Sequence, residues 1–305
     1  MQIRLMIEGQ EGVTWREWVD LATEAEELGL DGLFRSDHYS SFHRSADMAL
    51  DAWATITALA PLTERIRLGT LVSAAAFRHP SELARVVVTA DHISNGRIEL
   101  GVGAGWFEGE HLQNGFPFPS VRERFDVLSE YLDILVRSWS AETFDYHGAH
   151  FNLEQQRALP LPLQSPHPPI ILGGSGRPRS VALAALFAQE YNAAFLQPEE
   201  CAELRNALNS ACIRTGRDPS SIRLSVMTFL AIGEDRLSAN QRLNRGLEYF
   251  KVPDESCKAV TVEEATELLG RYARAGVSCL YLQLPDRTDM KLLELMGQLA
   301  EVVAN

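Results

Sequence analysis

With 305 residues, 46% of them hydrophobic and 23% charged, the chain has ordinary globular composition and enough length to bury a large core. A formal net charge of -13 sets up a field that repels phosphate backbones and anionic membranes, which argues against nucleic acid and membrane surfaces as partners. The four cysteines, Cys201, Cys212, Cys257 and Cys279, show no CxxC spacing and read as free cytoplasmic thiols, and no stretch approaches the ~18 apolar residues of a membrane span.

A strand over Ile3 to Glu8 opens the chain without a basic leader. Thr14 and Glu17 form a capping box ahead of a helix with Trp15, Trp18, Val19, Ala22, Ala25 and Leu28 at helical spacing, and Gly29 suits the left-handed position that ends it. Strands follow at Gly32 to Ser36 and Ile66 to Val72. Pro80 then starts a helix with the stripe Leu83, Val86, Val87, Ala90 and Ile93, stopped by Asn95 and Gly96. Next come a strand at Ile98 to Val102 and a long helix opened by Ser120 with Glu123, striped by Leu128, Tyr131, Leu132, Leu135, Val136 and Trp139. Strands at Pro169 to Gly173, Tyr191 to Phe195, Ile222 to Ile232 and Cys279 to Leu284 complete the series, with Thr261 and Glu264 offering a helix cap between the last two. Phe144 to His167, rich in Pro and Leu, and Gly233 to Val260, rich in charge, depart from the repeat and read as insertions. Eight strand–helix repeats predict a closed (β/α)8 TIM barrel, an α/β fold of one domain over residues 1–305. An open doubly wound sheet fits less well, because no GxGxxG follows the first strand.

In such a barrel the chemistry gathers where the strand C-termini and their loops converge. After the second strand stand Asp37 and His38. His38 is either an acid or base beside a cofactor ring, with Asp37 fixing turn or tautomer, or part of an inert surface turn. After the fourth strand, Gly103, Ala104 and Gly105 let a flat ring approach the backbone without Cβ collisions, and Trp106 can wall the pocket; a tight barrel bend is the plainer explanation of the same glycines. After the fifth, Gly173, Gly174, Ser175, Gly176 and Arg177 precede Pro178 at a helix start. Consecutive amides, the helix partial charge and the formal charges of Arg177 and Arg179 make this the best phosphate site in the chain. Arg78 and His79, ahead of Pro80, read as helix-entry residues, and Glu8 and Glu11 as solvated carboxylates. His147 and His150 lack a third ligand, so no metal is expected, and no GxSxG elbow marks a nucleophilic serine.

The stretches SDHY (Ser36 to Tyr39), RIRLGTLV (Arg65 to Val72), FRHP (Phe77 to Pro80), DHISNGRIELGVGAGW (Asp91 to Trp106), GFPFP (Gly115 to Pro119) and PPIILGGSG (Pro168 to Gly176) follow one another over nearly the whole chain. Together they resemble the luciferase-like flavin and deazaflavin oxidoreductases, and most of all the actinobacterial branch that uses the 5-deazaflavin coenzyme F420. The resemblance implies a barrel, usually a homodimer, with a ring system lying across the strand ends. Asp37 and His38 match that family's ring-contacting pair, with His38 the catalytic candidate. Leu71 and Val72 match a bulge carrying a non-proline cis peptide behind the ring, Gly103 to Gly105 match backbone that touches ring or tail, and Gly173 to Gly176 match the phosphate-binding loop. Trp106 stands where the sugar-phosphate dehydrogenase branch has a glutamate, so that branch's proton donor and substrate do not carry over; Trp106 joins His38 as a candidate for the reaction chamber. The expected activity is F420-dependent hydride transfer with a small organic substrate. A reduced-FMN monooxygenase and a non-catalytic flavin-binding barrel are the alternatives on the same fold.

Overall fold

The computed structural model describes residues 1–42, 48–157, 159–250 and 257–304. In chain order the elements are β1 (Gln2–Ile7), α1 (Trp15–Glu27), β2 (Gly32–Arg35), α2 (Ala52–Leu59), β3 (Arg67–Thr70), the two-residue β4 (Ser73–Ala74), α3 (Pro80–Ile93), β5 (Ile98–Gly103), α4 (Glu108–Asn114) and α5 (Val121–Ser138). They continue with β6 (Phe144–His147), β7 (Asn152–Gln156), β8 (Ile170–Gly173), α6 (Pro178–Phe187), β9 (Glu190–Ala194), α7 (Pro198–Arg214), β10 (Arg223–Thr228), β11 (Leu230–Gly233), α8 (Arg236–Phe250), β12 (Lys258–Thr261), α9 (Val262–Arg274), β13 (Val277–Gln283) and α10 (Met290–Ala304). Strands β1, β2, β3, β5, β8, β9, β10 and β13 pair in parallel around a closed ring, β13 returning to β1, which is the expected (β/α)8 barrel.

The local signals explain most element ends. Thr14 with Glu17 and Thr261 with Glu264 each close a full capping box, Ser120 accepts from the Glu123 amide, and Gly29 follows α1 at φ 74°. Trp15, expected in the buried stripe of α1, points outward instead, because it stands at the helix's first position, before the face that packs on the barrel begins. The expected strand Ile222 to Ile232 is two strands. Up to Met227 it runs beside β9, whose paired stretch ends at Ala194; past Thr228 the chain leaves the wall and pairs Leu230 to Gly233 with Lys258 to Thr261 outside it. Phe229, at the break, is fully buried, and a side chain at Gly246 of α8 would collide with its ring. The Gly233 to Val260 insertion therefore carries a helix and half of a small sheet, with residues 251–256 outside the described part. The earlier insertion, Phe144 to His167, carries the β6–β7 hairpin.

Alternation along the strands sorts side chains between two environments. Ile3, Leu5 and Ile7 of β1 face the surrounding helices, whereas Arg4 and Met6 face the barrel axis; on β13 the inward residues are Cys279, Tyr281 and Gln283. The floor of the barrel is a buried ionic network. Arg4 donates to Glu99 at 2.6 Å and to the Tyr281 hydroxyl at 2.7 Å, that hydroxyl donates to Glu190 at 2.8 Å, and Arg223 pairs with Glu190 at 2.9 Å. Met6, Phe34, Leu71, Ile171 and Tyr281 form the apolar layer above it. Replacing Glu99 by alanine leaves Arg4 buried without its countercharge, and should lower the unfolding free energy by about 3–5 kcal/mol. Chemical denaturation measures this, and an unchanged midpoint would contradict the network's role.

Candidate active site

Above the apolar layer the strand C-termini surround a cavity of about 790 Å³, within the range of small-molecule sites. His38 lies on its wall, and its position is set by Glu110 of α4, a fully buried carboxylate. One Glu110 oxygen lies 2.9 Å from His38 Nδ1; the other accepts the Tyr39 amide and, at 3.1 Å, the Ser40 amide. An ionised carboxylate only accepts, so Nδ1 carries the hydrogen and Nε2 is left for other chemistry. Burial works against protonation of the ring, yet the Glu110 hydrogen bond and charge, with Glu8 and Asp37 adding to them, outweigh it, and His38 titrates above its ordinary range. Phe42, Trp106 and Phe107 pack edge-on around the imidazole with centroids 4.8, 5.8 and 6.3 Å away. Trp106 is 66% exposed, and its indole has no group that titrates near neutrality.

Asp37 does not face the cavity beside His38. Arg78 takes its carboxylate in a two-pronged contact and the Ser73 hydroxyl donates to it at 2.6 Å. Burial pushes this carboxyl up, and Arg78 and Ser73 pull it only part of the way back. Arg78, expected merely to enter a helix, thus ties the loops after β2 and β3 together, while His79 does cap α3.

The Leu71–Val72 peptide is cis, in the bulge where the resemblance put one. The Val72 side chain occupies the space that side chains at Gly101, Gly103 and Gly173 would need, with ideal Cβ positions 2.9, 3.0 and 3.1 Å from its methyls. These glycines therefore admit Val72, which with Leu71 lines the cavity as an apolar platform. Gly105 has φ 77°, and beside it the buried His111 ring bonds the Pro117 carbonyl at 2.8 Å, which anchors the GFPFP loop.

A model of the family described as luciferase-like monooxygenase matches residues 2–291. The chain belongs to this family. It is 28% identical over 310 residues to the F420-dependent glucose-6-phosphate dehydrogenase of Microbacterium testaceum, covering 92% of this chain and 91% of that one. An F420-dependent secondary alcohol dehydrogenase solved in complex with an F420-acetone adduct superposes with a TM-score of 0.86 at 19% identity, covering 100% of this chain and 99% of the other. A monooxygenase from Streptomyces bottropensis superposes with a TM-score of 0.83 at 22% identity, covering 100% of both.

In this luciferase-like barrel the glycine loop after β8 differs in detail from the expected amide cradle. Gly173, Gly174 and Ser175 line the cavity, but the Gly174 amide donates to the Asn192 carbonyl at 3.0 Å and the Gly176 amide to the Tyr191 hydroxyl at 2.8 Å. Gly174 is required because a Cβ there would lie 2.3 Å from that same hydroxyl. Arg177 is exposed at the N-cap of α6 rather than on the cavity wall, and Arg179 is held by Asp126 and the Arg122 carbonyl. Among the described residues the arginine in the wall is instead Arg124, whose guanidinium lies 3.9 Å from the Phe118 ring centroid and whose Nε, though buried, has no partner among them. Glu8 and Glu11, expected as solvated carboxylates, both have protein partners. Glu8 lines the cavity and accepts from Gln10 at 3.0 Å and Gln283 at 2.8 Å; Glu11 accepts from Ser41 and Phe42.

Glu110, Arg124 and Gln283 had escaped sequence reasoning. For Gln283 a signal existed, since it continues the inward alternation of β13 two residues past Tyr281. Replacing Glu110 by glutamine should move the His38 titration to lower pH, toward the ordinary imidazole value, because the group that favours the imidazolium is lost. In the native protein the imidazolium should be complete below the ordinary value and disappear only as pH rises through the elevated one. NMR of the ring protons follows both, and identical titrations in the two proteins would remove Glu110 as the cause.

Proposed function

We propose that this chain is an oxidoreductase that uses coenzyme F420 to exchange a hydride with a small organic substrate. The observation that carries this reading is that a single cavity joins an imidazole fixed by a buried carboxylate, a flat apolar platform and the glycine loop that leads into α6. The relative at 28% identity, an F420-dependent dehydrogenase matched over nine-tenths of both chains, supports the choice of cofactor.

The residues present fit a deazaflavin. Val72 between its three glycines offers the face of the ring an apolar seat. Gly173 to Ser175, the N-terminus of α6 and Arg124 suit an anionic tail, Ser175 and the helix end contributing amides and partial charge. When bound, the deazaflavin supplies a carbon that gives or accepts the hydride. His38 holds the companion proton at Nε2, donating it to the substrate atom that becomes reduced or taking it back in the reverse direction. Phe42, Trp106 and Phe107 keep water from that proton and confine the substrate. As part of the same proposal the chain works as a single-domain barrel in a cytoplasmic homodimer, the arrangement implied by its family.

Two measurements check this. Apoprotein titrated with F420 and, separately, with FMN should bind the deazaflavin; binding of FMN alone would overturn the cofactor assignment in favour of oxygen chemistry. His38→Ala should slow turnover ~100-fold or more while leaving the deazaflavin dissociation constant nearly unchanged. Unchanged turnover would remove His38 from the reaction.

A further inference from the structure

Glu8 and Gln283 stand side by side at the ends of the adjacent strands β1 and β13, next to β2, whose end carries His38. The glycine loop follows β8, four strands from β1 in either direction around the ring and three from β13 by the shorter way, so this pair lies across the cavity from the proposed tail site. Its hydrogen-bond inventory is one-sided. Gln283 donates its Nε2 to a Glu8 oxygen at 2.8 Å, which fixes the orientation of the amide, since the reverse would set two acceptors against each other. Its Oε1 is then left buried, at 2% residue exposure, with no partner among the described residues. The other Glu8 oxygen accepts from Gln10 at 3.0 Å, and a carboxylate oxygen has capacity for a further donor. Arg35 lies close to Glu8, but its guanidinium is used by Thr55 and the Ser36 and Leu50 carbonyls and does not reach the cavity wall.

We infer that this pole is the distal substrate subsite and that it selects molecules carrying a hydroxyl or amino donor away from the reacting carbon, while rejecting those that carry a carboxylate or phosphate there. A donor completes the empty valence of Gln283 Oε1 and shares the Glu8 carboxylate. Among the described residues an anion at this pole would meet two acceptors and no arginine or lysine of the cavity wall other than Arg124. This inference rests on the reading of the cavity as an oxidoreductase site and supplies its substrate class. It also separates this chain from its glucose-6-phosphate-oxidising relative, because a phosphate end would meet the Glu8 carboxylate here and, among the described residues, no arginine or lysine beside it.

Three benzyl alcohols of one shape test it: p-hydroxybenzyl alcohol, with a donor at the far end; p-methoxybenzyl alcohol, with an acceptor only; and p-carboxybenzyl alcohol, an anion. Calorimetry on the apoprotein and on protein preloaded with deazaflavin gives the three dissociation constants. The hydroxyl compound should bind at least about tenfold more tightly than the methoxy compound, the worth of one well-made hydrogen bond, and the anion more weakly than either. Gln283→Met, close in shape but with no acceptor, should erase most of that advantage while circular dichroism and deazaflavin affinity stay as in the parent; Glu8→Gln serves as the second variant and should relax the exclusion of the anion. Equal affinities, failure of the hydroxyl compound to bind, or an advantage that survives in both variants would overturn the inference. Because the ranking is read on apoprotein as well, a failure of deazaflavin binding would be seen separately as failure of the cofactor assignment.

Discussion

The reaction chamber depends on one buried carboxylate. Glu110 is withdrawn from solvent by α4, and a charge in that position is tolerable only because three N–H groups converge on it: the amides of Tyr39 and Ser40 and the ring of His38. Those three donors belong to consecutive residues of the loop after β2. The carboxylate therefore fixes the path of that loop, the tautomer of the imidazole and its elevated affinity for a proton in a single arrangement. Phe42, Trp106 and Phe107 then close around a ring whose position is already set.

The rest of the barrel supplies contrast around that point. At the floor, Arg4, Glu99, Glu190 and Arg223 pair with one another, and above them Met6, Phe34, Leu71 and Ile171 form an apolar plug that separates the mouth from this charge. Val72 then extends the apolar surface into the cavity through the gap left by three glycines. Polarity returns only at the mouth, and unevenly: acceptors on the β1 and β13 side, backbone amides and Arg124 on the β8 side. A ligand with an anionic tail, a flat middle and a donor-bearing companion matches that gradient.

Much of this architecture was legible in the residues themselves. Capping boxes at Thr14 and Thr261, the cap at Ser120 and strand–helix alternation depend on neighbours a few positions apart, and such signals survive in a linear string. The placement of His38 at a strand end and of the bulge at Leu71–Val72 came through for the same reason, once motif order was added. What stayed hidden depends on partners far away in sequence. Glu110 reaches back 72 residues to His38, and Arg78 reaches 41 residues to Asp37, so no local pattern marks either pair. The glycine loop is legible only in part: Gly173, Gly174 and Ser175 line the cavity, yet the Gly174 and Gly176 amides are bonded to the Asn192 carbonyl and the Tyr191 hydroxyl, and Arg177 at the N-cap is exposed. The continuous run from Ile222 to Ile232 looked like one strand because apolar composition does not record where a barrel wall ends.

The claim on which the account stands is that a deazaflavin sits in this cavity with its ring on Val72 and its tail toward Ser175. A crystal structure of the protein soaked with coenzyme F420 tests it most directly. The account predicts the tricycle against Val72, its reactive carbon on the side open to His38 Nε2, and the first anionic group of the tail within hydrogen-bonding distance of the α6 N-terminus or Arg124. A ring bound elsewhere, or a tail leaving the cavity on the Glu8 and Gln283 side, would contradict it.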